Sequence, residues 1–355
     1  MNKKIDIKMV VNNFKINGEL LGYHKFGSGH INKTYLVRTT KQVYILQRIN
    51  DNIFKKPALL MKNIISVSDF LKKKGFPTLS YIKTNDDKYY DHNKFGYFRM
   101  YCFKELVVSF EEIVNLKIVE EMAKAFAKFH EHMLDYDVKK INVFMPDFHN
   151  TPKRFDNFMK ALKEDKANRK KLCKEEIKYL LSQKNNIDKI TKAIKDGSVH
   201  NLVIHNDTKI NNVLYNRNTY KFACVIDLDT LMPGSILYDY GDALRSLFTG
   251  DNEDSENLDL ININYDVFKS FTKGYLSIMH NKMTKTEIEL LPYSIYLMAV
   301  ELSLRFLEDY LNGDTYFQTS FNNQNLFRAR TQIKLAKSVK QNLLSLNLLV
   351  EKYLR

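Results

Sequence analysis

Apolar and polar positions alternate through "YHKFGSGHINKTYLVRT" and "KQVYILQRIN". The β-branched and aromatic residues there predict a strand hairpin that turns near Thr39–Lys41. The period then changes. In "PALLMKNIISVSDFLKKKG", Leu60, Ile64, Val67, Phe70 and Leu71 recur at helical spacing, and Gly75 and Pro77 stop the helix. "YYDHNKFGYFRMYCF" returns to strand character, so the order as far as Cys102–Glu105 is β-β-α-β.

From Glu111 onward the pattern is mostly helical. "IVEEMAKAFAKFHEHM" puts Val119, Met122, Phe126, Phe129 and Met133 on one face of an amphipathic helix. A lysine-rich helical region follows to about Lys195. Two short apolar runs, "LVIH" and "ACVIDLD", then flank the polar octet "HNDTKINN" at 205–212. The remainder, from "DYGDALRSLF" to "NLLSLNLLVEKYLR", has helical periodicity almost throughout. The predicted architecture is α+β and bilobal. A small β-rich N-terminal lobe covers 1–104, with a hinge near 100–104, and a large mainly helical C-terminal lobe covers 105–355.

Composition changes this picture little. The chain has 355 residues, ample for a bilobal unit, with 55 Lys+Arg against 41 Asp+Glu and a formal charge of +14. That excess would suit a nucleic acid, an anionic surface or a phosphorylated ligand. In "KALKEDKANRKKLCKEEIKYLLSQK", however, the lysines are interspersed with acids, as on a solvated helix face. Cys102, Cys173 and Cys224 are too few and too isolated for a disulfide framework or a CxxC metal site. The start, "MNKKIDIKMVVNNFK", has no apolar core of signal-peptide length, and "SIYLMAVELSL" is short and contains Glu301. The expectation is a soluble, cytoplasmic protein with no membrane or nucleic-acid partner.

The octet carries the chemistry. His205, Asp207 and Asn212 form H-x-D-x-x-x-x-N, and Asp227 follows in "VIDLD". Protein kinases use such a loop between short strands. Its Asp accepts the proton of the attacking hydroxyl, and its Asn with a downstream Asp holds Mg²⁺ on the nucleotide phosphates. Lys209 matches the catalytic-loop lysine that touches the transferring phosphate. Mg²⁺ is a hard cation that takes carboxylate and amide oxygens. An H-x-D alone is weak, because Asp and Asn also serve turns, and His205 reads best as a loop-ordering residue. The joint pattern with I-D-x-D is specific. Asp207 is the candidate base, and Asn212 and Asp227 the candidate metal ligands.

The N-terminal lobe should then hold a nucleotide. Gly27 and Gly29 in "FGSGHINKTYLV" allow backbone amides to approach phosphates, although a plain hairpin turn uses the same residues. In "YILQRIN", the place of the kinase strand lysine is taken by Gln47, which has no charge. Arg48 is the neighbouring candidate cation but should point to the opposite face. The stretch around Met100 and Cys102 would be the hinge that bonds an adenine edge.

Together, "HNDTKINNVLY", "CVIDLDTLMPGSILYDYGDALR" and "GSGHINKTYLV…YILQRINDNIF" resemble the aminoglycoside phosphotransferase/choline kinase superfamily. Within it, "GHIN", "DLDTLMPG" and "RFLEDYLNGDTYF" look most like N-acetylhexosamine 1-kinases. The likeness spans nearly the whole chain. It implies a protein-kinase-like fold and ATP- and Mg²⁺-dependent transfer to the anomeric hydroxyl of GlcNAc or GalNAc. It also implies that Arg305 and Tyr316, with His30 and Asp229, contact the sugar. Arg305 has a plainer reading as a helix-surface ion pair with Asp309, and Tyr316 as packing beside Phe317. Asp239 and Asp242 read as structural, one tying down the loop and one capping the next helix. The rivals are a kinase for choline, ethanolamine or an aminoglycoside, and a catalytically silent basic nucleic-acid-binding protein.

Overall fold

The computed structural model describes residues 5–27 and 32–354. Gly29 and His30 lie outside them. The first part runs α1 (Ile7–Asn12), β1 (Leu20–Lys25), β2 (Lys33–Thr39), β3 (Val43–Ile49), α2 (Pro57–Lys73), β4 (Tyr81–Ile82), β5 (Asp91–Asn93) and β6 (Gly96–Cys102). The strands form one sheet of order β1-β2-β3-β6-β4, with β5 also paired to β6. The predicted turn near Thr39–Lys41 is the β2–β3 connection, closed by Thr39 N–H bonded to the Gln42 carbonyl at 2.9 Å. "YHKFGSGHINKTYLVRT" holds two strands where one was expected, because β1 and β2 are themselves a hairpin.

The second part runs β7 (Val107–Val108), α3 (Leu116–Met133), α4 (Thr151–Glu164), α5 (Lys174–Ser182), α6 (Lys189–Asp196), β8 (Leu202–Ile204), β9 (Val213–Asn216), β10 (Phe222–Val225), β11 (Met232–Gly234), α7 (Ile236–Thr249), α8 (Tyr265–Met279), α9 (Lys285–Asn312) and α10 (Gln324–Lys352). The molecule is thus mixed α+β, with an N-terminal sheet region and a helical C-terminal region.

Two apolar cores follow this order. Val10, Val11 and Phe14 of the α1 segment pack with Val37, Leu46, Phe98 and Met100 of the sheet. The larger core gathers the helices around α9, and it also takes Leu60, Ile64 and Val67 of α2. The face of α2 found from its spacing therefore packs into the core shared with the helical region, beside Ile49 at the end of β3.

Helix α9 starts at a capping box in which Thr284 and Glu287 each satisfy the other's backbone amide. It is long and apolar enough to cross a membrane by length and composition, and 83% of its most apolar window is buried inside the fold. Helix α7 crosses α9 so closely that a Cβ at Gly241 would lie 2.5 Å from the Ser294 carbonyl oxygen. That contact brings the start of α7 under the octet.

The two apolar runs beside the octet do not pair with each other. β8 pairs with β11 and β10 with β9, in two separate small sheets. The octet and the 227–231 segment are consequently two crossovers between the same pair of sheets, and their polar side chains face one another.

Candidate active site

The octet is fixed from below by α7, which Ser235 caps. Asp239, in its first turn, accepts the His205 and Asn206 amides, both at 2.7 Å, and the His130 ring at 2.8 Å. Thr208 donates its hydroxyl to the Asp239 carbonyl and its amide to Asp242 at 3.2 Å. Asp239 ties down the loop as expected. Asp242 does not cap a helix. It lies inside α7 and pairs with Arg245 at 2.9 Å. Burial alone would raise the Asp239 carboxyl, but the His130 hydrogen bond and the loop amides hold it below the usual carboxylate range.

The two crossovers are also tied sideways. Asn206, in the left-handed region at φ 65°, donates its amide side chain to the Thr230 carbonyl at 2.8 Å. Thr230 returns its hydroxyl to the His205 carbonyl at 2.6 Å. The His205 ring meets the Ile226 carbonyl at Nε2 (2.8 Å) and the Asp207 amide at Nδ1 (3.3 Å). A carbonyl only accepts and an amide N–H only donates, so the proton sits on Nε2. His205 orders the loop.

Asp207 is presented by this scaffold. Its Oδ1 lies 3.1 Å from Lys209 Nζ. Asn212 Nδ2 donates to the Asp207 carbonyl at 2.8 Å and to its Oδ2 at 3.2 Å. Burial pushes the carboxyl up, but Lys209 and these hydrogen bonds bring it below the ordinary range, so Asp207 is ionised at neutral pH. Lys209 is in turn pushed up, chiefly by Asp207.

Asp227 stands in the left-handed region at φ 58°. Among the described residues its carboxylate makes no hydrogen bond and no ion pair, and the Asn212 Oδ1 accepts none either. Burial, then the Asp229 and Asp207 carboxylates, push the Asp227 carboxyl up to about 7. Unpaired carboxylate and amide oxygens beside two further carboxylates fit a hard divalent cation. Among the described residues no three His, Cys, Asp or Glu side chains converge as a ready-made metal site. A cation held by Asn212 and Asp227 would complete its shell with water and phosphate oxygens, as Mg²⁺ commonly does.

Asp229 is not free to hold a ligand. Both of its oxygens are forked by the Arg99 guanidinium, and Asn32 Nδ2 donates to Oδ2 at 2.7 Å. Arg99 lies across from Gln47 in the β3–β6 register, and its Nε donates to Gln47 Oε1 at 2.9 Å. Alternation along β3 sends Arg48 to the other face, where Nε meets the Phe95 carbonyl at 2.7 Å. The structure thus brings Arg99 to the cleft in place of Arg48. Gly27 has φ 78°, and a Cβ placed there would meet nothing within 4 Å, so its left-handed backbone faces open space. Met100 is enclosed on both sides by ladder partners, and the Cys102 amide donates to the Ser80 carbonyl at 2.9 Å. Neither residue offers a free amide to an adenine.

Arg305 and Tyr316 are brought together, and Arg305 forms no ion pair with Asp309. The Asp309 carboxylate takes the amides of Thr315 and Tyr316 at 2.8 Å and of Phe317 at 2.9 Å, folding the loop after α9 back on itself. Arg305 is left with its guanidinium over the rings of Phe148, Tyr316 and Phe317, at 5.4, 5.9 and 5.5 Å. It has no carboxylate or carbonyl partner among the described residues.

Sequence reasoning misses Phe148, His149 and Arg154, because "DFHNTPKRF" sits inside a lysine-rich helical region. Arg154 donates to the Phe148 carbonyl at 2.9 Å, and His149 bonds Glu301 at 2.7 Å while stacking 5.0 Å from Tyr238, next to Asp239. The signal available is an aromatic, a His and an Arg gathered at a helix start marked by Asn150 and Pro152. Asn63 of α2 joins this loop to the cleft, donating to the Asn142 carbonyl at 2.9 Å and to the Leu231 carbonyl at 3.5 Å.

A sheet region facing a helical region, with an H-x-D loop and an I-D-x-D loop cross-tied in the cleft between them, defines a kinase-like phosphotransfer architecture. Residues 22–266 match the family described as the phosphotransferase enzyme family, and the chain belongs to it. Solved structures share the fold over nearly full length. An aminoglycoside phosphotransferase from Alicyclobacillus acidocaldarius is 13% identical, with TM-score 0.67 and 99% and 98% of the two chains covered. A microcompartment-associated aminopropanol kinase is 14% identical, with TM-score 0.63 over 96% and 98%. A spectinomycin phosphotransferase, in complex with ADP and spectinomycin, is 14% identical, with TM-score 0.58 over 94% and 97%.

Proposed function

We propose that the protein transfers the γ-phosphate of ATP to the anomeric hydroxyl of an N-acetylhexosamine, GlcNAc or GalNAc, releasing the sugar 1-phosphate and ADP. The ADP held by the spectinomycin phosphotransferase supports ATP as co-substrate. Residues to about Lys104 would hold the nucleotide, and residues from Glu105 would hold the acceptor. Asp207, ionised and pinned, would accept the hydrogen bond and then the proton of the attacking hydroxyl. Lys209 would balance charge on the transferring phosphate. Mg²⁺ on Asn212 and Asp227 would supply charge neutralisation at the phosphates.

One observation carries the acceptor class. The half-buried Arg305 guanidinium, without a carboxylate partner among the described residues, sits over three aromatic rings. Arg154 is close enough for Arg305 to help burial lower its pKa. Planar donors beside ring faces suit an oxygen-rich, neutral pyranose, whose hydroxyls and acetamido oxygen accept hydrogen bonds. A cationic acceptor would meet two guanidiniums, opposed by Glu308 and by Glu301, which His149 and Thr151 already bond.

The second reading, phosphorylation of an amino alcohol or aminoglycoside, is favoured by what the neighbouring structures are named for. A transfer screen with ATP, Mg²⁺, free hexosamines, choline, ethanolamine and aminoglycosides separates the two. Phosphorus NMR of the product should show coupling to the anomeric proton. Phosphate on a 6-hydroxyl, or on a cationic acceptor, would defeat the anomeric reading and leave the phosphotransferase standing.

A further inference from the structure

Kinase sites position their phosphates with a lysine on the third strand paired to a glutamate on the following helix. This chain has neither. The strand position is Gln47, and α2 presents the buried Asn63 to the cleft, bonded to the Asn142 and Leu231 carbonyls. A different pair occupies the space between the two regions. Arg99 is 2% exposed, comes from the strand beside Gln47, and forks Asp229, itself 3% exposed. Among the described residues it is the one cation of the sheet that ion-pairs with the 205–231 segment.

We propose that the Arg99–Asp229 pair replaces the missing lysine–glutamate pair as the positioning device of this site, holding the loop that carries Asp227 against the sheet. Three features support it. Asp229 is two residues past Asp227, separated by one buried leucine, so fixing one carboxylate restricts the other. Asn32 adds a second tether to Asp229 at 2.7 Å, and its own Oδ1 accepts the Asn50 amide at 3.0 Å, where β3 ends. Arg99 also spends three of its five N–H donors on Gln47 and Asp229, leaving two without a partner among the described residues. A buried fork of this kind is strong in geometry, and removing one partner leaves the other charge uncompensated. The pair is a positioning device acting through Asp227. This rests on the phosphotransferase assignment and not on the identity of the acceptor.

The test therefore uses ADP and no acceptor. ADP affinity is measured by calorimetry with and without Mg²⁺ for the wild type, Arg99→Gln, Asp229→Asn, and Arg99→Gln combined with Gln47→Lys. Arg99→Gln and Asp229→Asn should lose at least about tenfold of the affinity that Mg²⁺ adds, while metal-free ADP binding stays within about threefold. Gln47→Lys should restore part of the loss, because it returns a cation to the same face one strand away. Arg99→Lys, which keeps the charge and loses the fork, should fall between, and it decides the matter if Arg99→Gln does not fold in a thermal melt. Full Mg²⁺-dependent affinity in Arg99→Gln, Arg99→Lys or Asp229→Asn would overturn the proposal. So would an equal loss with and without metal in a folded variant, or a double variant no better than Arg99→Gln alone.

Discussion

Asp309 accepts the backbone amide of Tyr316 at 2.8 Å and leaves Arg305, one helical turn earlier, without an acidic partner. A carboxylate at the right spacing to neutralise the arginine instead shapes the loop that stacks on it. The cost of leaving a half-buried guanidinium unpaired is offset in part by the three ring faces around it.

Arg305→Ala should therefore act on the acceptor alone. The acceptor KM is expected to rise about 10- to 100-fold, and the ATP KM to stay within about twofold, because the proposed function puts Arg305 against the acceptor and away from the nucleotide. Steady-state kinetics against each substrate reads this directly. A matched rise in both KM values would move Arg305 out of the acceptor wall.

Asp207→Asn keeps the size and the neighbours of the side chain but cannot take a proton. Turnover should fall by about 10²- to 10⁴-fold, with ADP affinity almost unchanged. Turnover within a few-fold of wild type would remove Asp207 from the chemistry.

The crowded carboxylates give a pH-dependent stability. Asp227 titrates at about 7 in the folded protein, against about 4 for an unfolded aspartate. A raised carboxyl pKa means that the unfolded chain gives up this proton first, so the folded state loses stability as pH rises from about 4 to about 7. Without metal, Asp227→Asn should stabilise the fold at pH 8 by about 1–3 kcal/mol, seen as a higher melting temperature, and have little effect near pH 4. Calorimetric melts in EDTA at both pH values would show it. An equal gain at the two pH values would point to a cause other than charge.

Asp239 has the opposite sign. Its depressed carboxyl contributes stability above the unfolded value of about 4, and that contribution disappears as pH falls through the lower folded value. Asp239→Asn should lower the melting temperature at pH 7 and converge with the wild type in acid. It should also slow turnover, because the amides of His205 and Asn206 lose their acceptor. A variant with normal stability at pH 7 would refute the tether.

Gly241→Ala addresses the α7–α9 crossing. Its Cβ would sit 2.5 Å from the Ser294 carbonyl, a backbone atom that cannot step aside cheaply. Stability should drop by about 1–3 kcal/mol, seen as a lower melting temperature at fixed scan rate. No change in melting would mean that the crossing is looser than its geometry.

What was legible in the sequence was whatever is set by neighbours along the chain. The period of α2 and α3 and the β2–β3 turn depend on residues a few positions apart, and they appear in the fold where their spacing put them. The partners of charged groups were decided only in three dimensions. Arg99 meets Asp229 across the cleft because strand register puts it beside Gln47 and chain crossing brings the 227–231 loop below it. Arg305 meets Phe148, and His149 meets Glu301, through the packing of α4 on α9. No local pattern records such contacts, since a side chain's charge is written in the sequence but its partner is chosen by which distant backbone folds against it.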